Sequence, residues 1–69
     1  MTLHDAMREV LRTAPGRRMV AADIATQIDR RGLYKMRDGR AVEKQQIHAR
    51  VGHYPKVFNR DGNGGIGLI

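Results

Sequence analysis

Near the start of the chain, Leu3, Ala6, Met7, Val10, Leu11 and Ala14 recur at the spacing of one helix face, with Asp5, Arg8, Glu9 and Arg12 opposite. That pattern predicts an amphipathic helix. Thr2 followed by Asp5 resembles a capping box at its start, with Asp in place of the usual Glu or Gln. Pro15-Gly16 then stops it. Arg17 to Val20 reads as one short β-prone piece. A second helix is predicted over 22–31, with Ile24, Ala25 and Ile28 inward. Arg30 and Arg31 in its last turn suit the negative end of the helix dipole, and Gly32 supplies a left-handed cap. Leu33 follows at the position from which an apolar residue packs back on the helix.

Tyr34 to Arg40 is a polar, basic connection with a turn at Asp38-Gly39. A third helix is predicted from about Val42 to His53. Ile47, Val51 and Tyr54 mark its buried face, Glu43 sits in its first turn, and Pro55 ends it. Val57 to Arg60, a turn at Asp61 to Gly65, and Ile66 to Ile69 read as a hairpin. The order is helix, strand, helix, helix, hairpin. This is an α+β winged helix-turn-helix pattern: three helices, a short strand and a C-terminal β-hairpin wing in a single domain over residues 1–69.

Charge sharpens the picture. Thirteen Lys and Arg against seven Asp and Glu give a formal net charge of +6, unevenly placed. Residues 1–16 balance, whereas 17–40 hold seven basic residues against three acidic and 41–69 hold four against two. A basic middle and C-terminal half suits a nucleic-acid partner; the competing reading is a solvated surface that keeps a small protein soluble. With no cysteine, disulfides are excluded and zinc loses its preferred ligand. Residues 1–20 carry charges throughout, so no secretory leader is expected. The longest apolar run, Met19 to Ala22, is far too short to span a membrane. These features lead to an expected cytoplasmic location.

Sites for other chemistry fail on context. Gly62-x-Gly64-x-x-Gly67 spells a dinucleotide-binding pattern, but that fingerprint needs a following helix, and the pattern falls on a hairpin. Asp61-x-Asn63-x-Gly65 lacks the sixth-position Gly and distal Glu of a calcium loop. His48 and His53 are five apart on one helix and diverge, with no completing carboxylate or cysteine. There is no serine, and no nucleophile, base and orienting group assemble. No catalytic activity, cofactor, metal or small-molecule substrate is expected.

With Ile47 inward, helical geometry turns Gln45, Ala49 and Gly52 outward. Lys44 and His48 flank them on one side, and Gln46 and His53 on the other. Small residues along the middle admit a close approach. Gln pairs two-pronged with adenine, and Lys and His donate to phosphates or base edges. Arg37 and Arg40 precede this helix and suit phosphates. Arg60 and Asn63 in the hairpin can reach the backbone or minor groove, and Lys56 completes the basic set. Arg50 lies beside the buried face, with a structural role expected. The competing reading of each is an ordinary solvated surface. Met36 is the one apolar candidate for an exposed anchor near the face.

The stretch Ile24-x-x-x-Ile28 through Gly32-Leu33-Tyr34, Asp38-Gly39, Gln46-Ile47-x-Ala49-Arg50-Val51, Tyr54-Pro55 and Phe58 resembles HARE-type winged helix domains. Such domains occur in restriction endonucleases, in Asx-like chromatin proteins and in the delta subunit of bacterial RNA polymerase. The resemblance implies a winged helix linked to DNA transactions. Its implied partner is double-stranded DNA or, as in the delta subunit, a protein: RNA polymerase or a restriction/modification subunit. Ala41-Val42 stands where many members have Thr-Pro, so the resemblance does not give the cap of the third helix. It supplies no catalytic residue.

Overall fold

A computed structural model describes residues 1–69. Its elements are α1 (Leu3–Arg12), a 3-10 turn (Pro15–Arg17), β1 (Arg18–Val20), α2 (Ala21–Arg31), α3 (Lys44–His53), β2 (Phe58–Arg60) and β3 (Gly65–Leu68). The strands form one antiparallel sheet in the order β1-β3-β2. The single strand expected before the second helix is thus the outer partner of the hairpin, and the architecture is a winged helix-turn-helix. No helix is long and apolar enough to cross a membrane.

Local signals explain the helix ends. Thr2 caps α1: its side chain accepts from the Asp5 backbone N–H at 3.3 Å, one half of a capping box. The α2 terminus is a Schellman motif. Gly32 takes φ +64°, its N–H reaches the Asp29 carbonyl at 3.1 Å, and the Leu33 N–H reaches Ile28 at 3.0 Å. Only glycine adopts that left-handed backbone without strain. Leu33 then packs against the core.

α3 starts two residues later than the apolar pattern suggests. Glu43 is not in the first turn but is the N-cap residue, in extended backbone. Val42 precedes the cap and is buried with Ile47, the pair of positions that make a hydrophobic staple. At the other end, the half-buried Tyr54 ring stacks on His4 of α1 at 4.2 Å between centroids.

Fourteen apolar side chains form one core with no buried polar or charged side chain. α1 gives Leu3, Ala6, Met7, Val10 and Leu11; α2 gives Ala21, Ile24, Ala25 and Ile28. The sheet closes the core with Phe58 and Ile66. α3 contributes only Ile47 and Val51, and it packs chiefly against α2, with less contact to α1. The helix-turn-helix pair is therefore α2 and α3, held over α1.

Ile47 is fully buried. Ile47→Ala is expected to destabilise the domain by about 2–5 kcal/mol, a large fraction of the stability of a small protein. Urea or thermal unfolding measures it. A loss under about 0.5 kcal/mol, typical of a surface substitution, would mean that α3 is rotated about its axis from the orientation described.

Candidate nucleic-acid interface

The rotation fixed by Ile47 and Val51 leaves Lys44, Gln45, Ala49, Gly52 and His53 exposed, with His48 half-buried beside them. The outward face is polar, and Ala49 and Gly52 leave its centre low. Gln46 does not belong to it. Its Oε1 accepts from the Glu43 backbone N–H at 2.9 Å, so this side chain closes the α3 N-terminus and is not free to read a base. The i, i+3 spacing of Glu43 and Gln46 is a visible cap signal in the sequence. It is obscured because Glu stands where Ser or Thr is usual.

The connection before α3 is a tight turn. The Gly39 N–H bonds the Met36 carbonyl at 2.8 Å, the Met36 N–H bonds the Arg40 carbonyl at 2.9 Å, and Gly39 adopts φ +89°. Met36 is half-buried, which corrects its reading as an exposed anchor. Arg37, at the turn's exposed centre, has no acidic partner, whereas Arg40 Nε lies 2.7 Å from Asp38 Oδ2. Asp38 Oδ1 also accepts from the Arg40 backbone N–H at 3.1 Å. The two arginines are alike in sequence and unlike in electrostatics.

The wing turn is organised by Asp61. Its Oδ1 accepts from the backbone N–H groups of Asn63 and Gly65, each at 2.8 Å, and its Oδ2 lies 3.4 Å from Arg18 Nε. Those two amide donors, Gly65 first, and then Arg18, hold the carboxyl below its ordinary 3.8. The Asn63 side chain is exposed at the tip. Arg60 donates from Nη2 to the His48 carbonyl at 2.6 Å, linking the wing to α3 and leaving its other guanidinium donors outward. Sequence reasoning leaves Arg18 unplaced because a strand's facing cannot be read without its partner. Here it donates to Asn59 Oδ1 at 2.9 Å.

Lys56 lies elsewhere. It follows the C-terminal end of α3 and lines a groove of about 590 Å³ with Arg8 and Arg12 of α1, Arg17, Val57 and Leu68. The structure therefore brings Arg37, Arg40, Lys44, Gln45, His48, Arg60 and Asn63 to the α3 and wing side, assigns Gln46 to a cap, and sets Lys56 apart. The thirteen basic side chains divide in the same spirit. Arg8, Arg12, Arg18, Lys35 and Arg40 lie within 4.0 Å of a carboxylate, and the other eight have no acidic partner.

Comparison with known proteins gives one match. A family model described as HARE-HTH, a helix-turn-helix domain of ASXL proteins and restriction endonucleases, matches residues 1–55. The match covers all three helices and β1 and ends before the hairpin. No curated protein and no solved structure matches the chain.

The Asp61 contacts set a pH expectation. A carboxyl whose folded pKa is lowered stabilises its surroundings above the unfolded value and loses that contribution as pH falls through the folded one. The turn is thus expected to stay ordered down to about pH 3.8 and to loosen only below it. Acid titration of the Asp61 carboxyl and of the Asn63 and Gly65 amides by NMR measures this. Titration at or above 3.8 would show that the turn does not hold the carboxylate in this way.

Proposed function

The chain belongs to the HARE-HTH family, a helix-turn-helix family of DNA-binding type, and on that premise we propose that it binds double-stranded DNA without catalysing a reaction on it. The observation that carries this reading is the placement of Arg37 and Lys44, two exposed cations without acidic partners, at the entrance to a polar, low-centred α3 face. An oriented helix with cations at its leading end complements a groove edged by phosphates. α3 enters the major groove by its N-terminal half, where Gln45 and His48 face base edges. Arg37, Lys44 and the outward donors of Arg60 meet phosphates, and Arg40 joins them while sharing its charge with Asp38. Asn63 at the wing tip lies against the backbone or the minor groove.

Three to four phosphate contacts imply that log affinity falls against log salt with a slope of about −3 to −4. Raising salt from roughly 50 to 200 mM then weakens binding by about two decades. Fluorescence anisotropy with a duplex of roughly 15 base pairs, a turn and a half, measures it. A flat response, or no binding at low salt, would overturn the DNA reading and assign the face to a protein partner such as RNA polymerase or a restriction/modification subunit.

The same assay separates the residues. Arg37→Ala is expected to make the slope shallower by about one unit for every sequence tested. Gln45→Ala is expected to leave the slope unchanged and, at a preferred site, to flatten the preference at one base pair by about 1–3 kcal/mol. Asp38→Asn keeps the oxygen that accepts the Arg40 backbone N–H and removes the competing charge, so binding is expected to tighten. Weaker or equal binding by that variant would remove Arg40 from the interface.

A further inference from the structure

Arg18, Gly67 and Asn59 form one row across the sheet, since Arg18 pairs with Gly67 and Gly67 with Asn59. Side chains in such a row point to the same face. The middle position has none, and the Arg18 side chain occupies the space. A Cβ on Gly67 would lie 2.5 Å from Arg18 Nη1 and 3.0 Å from its Cζ. From this slot the guanidinium reaches Asn59 on β2 and Asp61 in the wing turn. Asp61 is the only acidic residue of the hairpin, and it also gathers the turn's backbone N–H groups.

The wing needs such a tie. β2 and β3 have three and four residues, and a two-stranded hairpin of that length is marginal alone. Its tip contains Gly62, Asn63, Gly64 and Gly65, a composition with wide backbone freedom. Fixing the tip before binding reduces the ordering that association must impose. We infer that Arg18 is a positioning residue: laid through the slot at Gly67, it fixes the wing relative to the helices and neutralises the wing's carboxylate, so that the wing meets DNA already oriented. The inference rests on the DNA-binding reading for its functional half. Arg18 itself contacts no phosphate in this arrangement.

Gly67→Ala is the informative variant, because it changes no charge. The crowded atoms belong mainly to the far end of a flexible side chain, so the added methyl displaces Arg18 and leaves the fold standing. Arg18→Ala removes the strap directly, and as a partly exposed pair it contributes little to global stability. Backbone relaxation of the free protein is expected to show amides 61–65 becoming mobile in both variants, with the helices unchanged. Duplex affinity is expected to fall about three- to tenfold in each, with the salt slope of the parent. The double variant is expected to lose no more than either single one, since both act through the same contact.

A rigid wing and parental affinity in Gly67→Ala would overturn the inference. So would a slope one unit shallower in Arg18→Ala alone, which would make Arg18 a phosphate contact. Should the parent bind no DNA, the functional half falls with the DNA reading, and wing mobility in the free variants still decides the positioning role.

Discussion

Ile47 and Val51 are the only side chains that α3 buries, and their insertion against α2 sets the rotation of that helix. The outward identity of Gln45, Ala49 and Gly52 follows from those two contacts, because successive helical residues turn by a fixed angle. The ends of α3 are held separately, by Val42 and the Glu43–Gln46 cap in front and by Tyr54 on His4 behind. A chain without disulfides has no other means of holding a recognition helix than such packing and capping.

Electrostatics follow from the same placement. The net charge of +6 is not spread over equivalent arginines and lysines. Asp38 shares Arg40, Asp61 engages Arg18, and the acids of α1 lie beside Arg8 and Arg12. What is left uncompensated next to α3 is a small set led by Arg37 and Lys44. A binding site for a polyanion is defined by such residual charge rather than by the total.

The helices were legible because each has a strong apolar period and a distinct stop: Pro15-Gly16 for α1, Gly32 for α2, Pro55 for α3. The α1 cap at Thr2 and the left-handed Gly32 were legible for the same local reason. The pairing of β1 with β3 was not, since three residues carry no record of partners as distant in the chain as Gly65, Ile66 and Gly67. The site was legible where it follows helical rotation, as for Lys44, Gln45 and His48. It was illegible where a side chain has a choice of partner. Gln46 turns back to a cap, Arg40 to Asp38, Arg60 to a helix carbonyl and Arg18 across a glycine. Lys56 was misplaced for a different reason: the chain turns after Pro55 toward α1, and no local pattern encodes that direction.

The central claim is that the α3 face and the wing, not the α1 groove, form the contact surface. Titrating the protein with a short duplex at low salt and following every backbone amide by NMR tests it most directly. The expected result is that amides of Arg37, Lys44, Gln45, His48, Ala49 and Asn63 shift together and saturate at one stoichiometry, while those of Arg8, Arg12 and Val57 stay in place. Shifts concentrated on Arg8, Arg12, Lys56 and Val57, with α3 silent, would contradict it.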